Sequence, residues 1–198
     1  MSKTLYIVWH GETLFGTQGR LEGWSDSPLT EEAREQARRT GRDFFAARGI
    51  TPDRFCSSIS ERACDTLELV CEGAGISAVS YERHKGLKDL DYGIYEAQHR
   101  SLAPAAPYGS FFVKFQGESA DQLAERVQGA LVDIARGEGS EVLVSGHQLA
   151  IAQACALWDD ALAARISSAP AGSVLVLGYD KQADSFSLVE LFEPEPIA

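Results

Sequence analysis

No apolar run in the 198-residue chain approaches the roughly 20 residues that cross a bilayer. Stretches such as Glu141 to Ser145 and Ser173 to Leu177 are only strand-length, which excludes a membrane span. The opening Met1-Ser2-Lys3-Thr4 leads straight into an apolar strand, with no h-region or cleavage site of a secretory signal, so a cytoplasmic location is expected. Cysteine is scarce. Cys56, Cys64, Cys71 and Cys155 show no CxxC spacing, and Cys64 and Cys71 fall seven apart on one helix face. Buried, reduced thiols are expected rather than disulfides or a zinc site. Positive charge is also short: 18 Lys and Arg face 29 Asp and Glu, a formal net charge of −11. Nucleic acid and anionic membrane both need a positive field, and both are excluded as partners. There is no Walker loop and no GxGxxG after a strand, so a nucleotide cradle has no support. There is no HExxH spacing and no third histidine at an element end, so neither a metal nor another cofactor is expected.

Hydrophobic residues make up 44% and charged residues 24%, proportions of a folded globular chain. No repeat or linker divides it, and residues 1–198 read as one domain large enough to bury a core without staples. Leu5 to Val8 is a short apolar strand. Thr30 caps a helix with Glu31 and Glu32 in its first turn, apolar residues at helical spacing, and Gly49 as its stop. Arg54 to Ser57 is a second strand, followed by a helix capped by Ser60 with Ala63, Cys64, Leu67 and Cys71 inward. Ala78 to Tyr81 is a weaker strand. Ser119 and Gln122 form a capping box for a helix to about Arg136. Glu141 to Ser145 is a strand and Gln148 to Leu157 a helix. Ser173 to Tyr179 and Phe186 to Phe192 form an antiparallel pair, and residues 193–198 are a loose tail. Such alternation predicts an α/β three-layer sandwich, with a mostly parallel central sheet flanked by helices. Residues 98–118, with Pro104, Pro107, Tyr108, Phe111, Phe112 and Phe115, break the rhythm. They are open to three readings: a lid over the site, a long connection with tucked-in aromatics, or a homodimer contact.

Two of the four histidines occupy the same kind of place. His10 follows the first strand directly, and His147 follows the strand Glu141 to Ser145. Arg62 stands in the first turn of the helix after the second strand. Three potential cations at the carboxyl edge of a parallel sheet, two of them at helix starts, form an anion site.

The segment Ile7-Val8-Trp9-His10-Gly11-Glu12-Thr13, running on to Arg20-Leu21-Glu22-Gly23-Trp24-Ser25-Asp26-Ser27-Pro28-Leu29-Thr30, resembles the opening of the histidine phosphatases, the phosphoglycerate-mutase-like superfamily. Three further blocks resemble that family in the same order: Cys56 through Arg62 to Thr66, Leu87-Lys88-Asp89 through Gly93 to Glu96, and Val142 to His147. The resemblance implies a metal-independent phosphomonoester hydrolase acting on a small phosphorylated metabolite. His10 would be the nucleophile that takes the phosphoryl group, and its other ring nitrogen should donate to a backbone carbonyl. Arg62 and His147 would hold the phosphoryl oxygens, and Asp89 would be the general acid. Trp9, Gly11, Gly16, Arg20, Glu22, Gly23 and Gln148 would complete the walls around inorganic phosphate or the ester.

Three positions depart from the family pattern. Trp9 stands where the family has an arginine, Gly16 where it has an asparagine, and Asp89 where it usually has glutamate. A second reading follows, of a phosphate-binding homologue with impaired turnover. Between Gln98 and Glu118 only Arg100 and Lys114 are basic, which favours a phosphatase over a mutase that must grip a second acidic group.

Overall fold

The computed structural model describes residues 3–77 and 79–195. Among the described residues six strands, β1 (Lys3–Trp9), β2 (Arg54–Ser58), β3 (Glu82–His84), β4 (Glu141–Gly146), β5 (Val174–Asp180) and β6 (Ser185–Phe192), form one sheet in the order β3-β2-β4-β1-β5-β6. The first four strands run parallel. β5 runs antiparallel to β1, and β6 antiparallel to β5. The sheet is therefore mixed, with its parallel part where the candidate site residues lie.

From Leu5 to Trp9 β1 is apolar because both of its faces are covered. Leu5, Ile7 and Trp9 face one core, and Tyr6 and Val8 face the other. The helices are α1 (Leu14–Thr17), α2 (Glu31–Thr40), α3 (Glu61–Gly73), α4 (Ala120–Arg136), α5 (Gln148–Ala156) and α6 (Asp160–Ser168). α2 and α3 cover the Tyr6 face, and α4, α5 and α6 the Leu5 face. Three layers result, as the alternation of elements predicts. Glycine lets α2 and α3 meet closely: a Cβ on Gly73 would lie 1.9 Å from the Arg38 carbonyl oxygen.

Local signals account for most boundaries. Thr30 caps α2 by accepting from the Ala33 N–H, and a π-helical turn, Gly41–Ala46, extends it toward Gly49. The capping box of Ser119 and Gln122 starts α4. The strand expected at Ala78 to Tyr81 is displaced. Ala78 lies outside the described residues, and pairing with β2 begins only where Glu82 meets Cys56. There the Arg54 guanidinium grips both Glu82 oxygens across the pair. α1 and α6 were not foreseen, although Asp159 caps α6 by accepting from the Leu162 N–H. Residues 193–195 carry no regular structure, and the remainder of the expected tail, 196–198, lies outside the described residues.

Within 98–118 two single 3₁₀ turns, Arg100–Leu102 and Val113–Phe115, flank inward-turned aromatics. Phe112 is fully buried, its ring edge-on to Tyr92, Tyr108 and Phe111 at 4.9, 5.2 and 5.0 Å. The Glu118 N–H donates to the Asp91 carbonyl at 3.0 Å, tying this segment to the loop that carries Asp89.

Candidate active site

Adjacent parallel strands end side by side, so the residues that follow them meet. β1 and β4 are such neighbours, and their register ends with Trp9 opposite Gly146. His10 and His147 come next, and their rings pack edge to face with centroids 5.1 Å apart. Arg62, the second residue of α3, reaches the same point, with Nε 3.2 Å from His10 Nε2.

Arg62 has no solvent exposure, and the loop after α1 folds around it. Nη1 donates to the Ser25 carbonyl at 2.9 Å and to Asp26 Oδ1 at 3.0 Å, and Nη2 donates to the Gly23 carbonyl at 2.9 Å. Glu22 Oε2 lies 3.3 Å from Nε. Gly23 adopts φ +51°, and a Cβ there would come within 2.5 Å of the Leu90 carbonyl oxygen, so this turn requires glycine. Asp26 also accepts from the backbone N–H groups of Glu61 and Arg62. It thereby caps α3, the task expected of Ser60, whose side chain makes no cap bond.

The His10 ring is neutral. Burial holds its pKa down to about 4, the Arg62 charge adds to the depression, and the Gly11 carbonyl and Asp26 act against it. Nδ1 lies 2.8 Å from the Gly11 carbonyl oxygen, which fixes the proton on that nitrogen. Nε2 therefore carries a lone pair beside Arg62. His147 is held neutral by burial and by the Arg62 charge, well below the ordinary histidine range. Its Nε2 contacts Ser58 Oγ at 3.1 Å, while Nδ1 is buried with no hydrogen-bond partner among the described residues. Burial raises the Asp89 pKa against the pull of Arg62, and its Oδ1 accepts from the Leu90 N–H at 2.9 Å.

The loop bearing Asp89 is held from α4. Arg126 Nη1 donates to the Gly86 and Lys88 carbonyls at 2.9 Å each, and Nη2 to the Asp89 carbonyl at 3.0 Å. Glu118 pairs with Arg126 and accepts from the Asp91 N–H at 3.0 Å. Glu96 clamps the two loops together by accepting from the N–H groups of Trp24, Ser25 and Tyr92.

His10, Arg62, His147, Gly11, Glu22 and Gly23 thus converge, and Asp89 lies within the field of Arg62. Three expected wall residues are placed elsewhere. Arg20 is exposed, donates to the Ala97 carbonyl at 2.8 Å and lies over the Phe15 ring. The Gln148 amide donates to the Ile166 and Ala169 carbonyls at 2.7 and 2.8 Å, where the end of α6 leaves carbonyls without i+4 partners. Trp9 is 2% exposed and packs in the core, its Nε1 without a partner among the described residues. Gly16 lies in α1, its N–H directed to Thr13 Oγ1 at 3.0 Å. Sequence reasoning missed Asp26, Ser58, Glu96, Glu118 and Arg126. Asp26 and Glu96 were visible inside the motifs, but their roles depend on contacts between distant loops.

Residues 5–191 match the model of the histidine phosphatase superfamily (branch 1). A probable phosphoglycerate mutase GpmB of Cronobacter sakazakii is 33% identical over 162 residues, covering 74% of this chain and 70% of that protein. The phosphoglycerate mutase of Bacillus anthracis superposes with a TM-score of 0.79 at 23% identity, over 94% of this chain and 91% of that one. A mycobacterial glucosyl-3-phosphoglycerate phosphatase, solved in a complex with VO3, superposes with a TM-score of 0.75 at 20% identity, over 98% of this chain and all of the other.

Proposed function

Because the chain belongs to the histidine phosphatase superfamily, we propose that it is a metal-independent phosphomonoester hydrolase working through a phosphohistidine at His10. The observation that carries this reading is the His10 ring itself, neutral, with Nδ1 on the Gly11 carbonyl and the Nε2 lone pair beside Arg62. Nε2 attacks phosphorus, the P–O bond to the alcohol breaks, and Asp89 passes its proton to the departing oxygen. Asp89, now a carboxylate, then takes a proton from water, the water oxygen attacks phosphorus, and the N–P bond breaks to release phosphate. Arg62 and His147 stabilise the phosphoryl oxygens in both steps.

The substrate in this reading is a small phosphate ester with a partly apolar alcohol. The loop segment 98–118 has few cations to hold a second acidic group. Lys114 Nζ lies over the Phe111 and Phe115 rings, and Arg100 is exposed. A cleft lined by Leu90, Pro107, Tyr108, Leu123 and Leu149 offers apolar walls beside the same loop. No described helix is long and apolar enough to cross a membrane, and the four thiols are buried and unpaired, which supports a reducing compartment, the cytoplasm. The purified protein is expected to hydrolyse a chromogenic aryl phosphate without added metal, and His10→Ala to abolish that activity. Hydrolysis that survives His10→Ala removes the assigned nucleophile.

A second reading, a phosphate binder with impaired turnover, is favoured by Trp9, whose uncharged indole packs in the core where the family has an arginine. It predicts phosphate binding without hydrolysis across a broad ester panel. Turnover of any panel member, lost in His10→Ala, excludes it.

A further inference from the structure

Glu22 has no part in the steps above, yet it occupies their centre. Arg62 Nε is shared between His10 Nε2 at 3.2 Å and Glu22 Oε2 at 3.3 Å. A carboxylate therefore sits on the guanidinium beside the nitrogen that takes the phosphoryl group. The other oxygen, Oε1, accepts from the Thr13 hydroxyl, and the Glu22 side chain is only 12% exposed. The charged and titratable groups around it are Arg62 from α3, Asp26 from its own loop, Asp89 from the loop after β3 and neutral His10, which follows β1 and shares Arg62 Nε with it. The Gly16 N–H from α1 also faces it. A phosphoryl dianion arriving at this point would meet one guanidinium and three carboxyl groups. With all three ionised, binding is repelled at the nearest oxygen.

We infer that Glu22 is a neutral carboxylic acid when phosphate is bound, its Oε2–H donating to a phosphoryl oxygen, so that oxyanion and proton bind together. The inference rests on the reading of His10 and Arg62 as the phosphoryl site. Oε2 is the oxygen on the phosphoryl side, beside Arg62 Nε, which also reaches the nucleophilic nitrogen of His10, while Oε1 is turned to the Thr13 hydroxyl that takes the Gly16 N–H. Burial pushes the Glu22 pKa up to about 7, with Asp89 and Asp26 adding to the rise and Arg62 opposing it. A protonated acid in an apolar site is an effective oxyanion donor. In this chain it supplies a neutral donor to a site where Trp9 brings no charge.

Tungstate is the probe, because it stays a tetrahedral dianion from about pH 7 to about pH 9 and does not add its own titration to the linkage. At about pH 8.5, calorimetry in buffers of different ionisation enthalpy should show uptake of close to one proton per tungstate bound by the unmodified protein, falling toward none below about pH 6. Its affinity should fall about tenfold per pH unit above about pH 7. Glu22→Gln, which keeps the shape and a donor, should flatten that profile and bind at least about tenfold more tightly near pH 9. Glu22→Ala should also flatten it but bind more weakly than Glu22→Gln. The inference is overturned if Glu22→Gln keeps the original slope, or if the unmodified protein takes up no proton while Arg62→Lys still weakens binding. Tungstate binding unaffected by both His10→Ala and Arg62→Lys instead overturns the phosphoryl-site reading on which it rests.

Discussion

At the scale of single residues the site is a problem of protonation. A histidine nucleophile must be neutral, and an acid must hold its proton near neutral pH. Burial moves His10 down and Asp89 and Glu22 up, each toward the form the chemistry needs. Nitrogen-detected NMR of the ring should find His10 protonated at Nδ1 alone from about pH 8 down to about pH 5. An imidazolium signal near pH 6 would contradict the neutral ring. These shifts also set stability. Between a pH of about 6.5 and about 4 the unfolded chain binds a proton at His10 that the native state refuses, so His10 makes stability fall as pH drops through that window. Glu22 acts in the opposite sense. The native state keeps a proton there from about pH 4.5 to about pH 7, so stability falls as pH rises through that window. Thermal melts should therefore show Glu22→Gln gaining on the unmodified protein as pH goes from about 5 to about 8. A gap that does not widen would mean Glu22 is ionised in the empty site.

At the scale of elements, what could be read in advance was local. The capping box of α4 and the Thr30 cap of α2 depend on residues three apart and appear as expected. The cap of α3 comes from Asp26, 35 residues before the Glu61 N–H it accepts from, and nothing in local spacing announces such a contact. Arg126 is the same kind of case. An arginine on a helix is usually solvated, but here it holds three carbonyls of the Asp89 loop. Glu118→Gln should lower kcat more than it raises KM, because it loosens the loop that positions the acid rather than the phosphate contacts. Replacing Arg126 by Leu should cost about 3 kcal/mol in urea unfolding, since it leaves Glu118 partly buried and unpaired. Gly73→Ala should cost about 1–3 kcal/mol by forcing α3 away from α2 at the Arg38 carbonyl. A melt unchanged by that substitution would mean the two helices can separate freely.

At the scale of the whole molecule, strand–helix alternation and two histidines at strand ends were enough to define the layers and the rim of the sheet. The antiparallel attachment of β5 to β1 was not legible, because it depends on which sheet edge the returning chain chooses. The inward turn of Tyr108, Phe111 and Phe112 was one of three open readings, and an irregular segment has no period to decide among them. The net charge of −11 gives a global prediction. Anionic ligands approach against a repulsive field, so raising salt toward about 0.15 M should speed vanadate association rather than slow it. Slower association would mean that the local field of Arg62 reaches beyond the rim. The assignment of His10 is tested most directly by mixing the protein with an aryl phosphate, quenching in alkali and locating the phosphoryl group by tandem mass spectrometry. A phosphoryl group on the His10 ring, absent in His10→Ala, is the predicted result. A phosphoryl group on any other residue, or turnover that persists in His10→Ala, would contradict it.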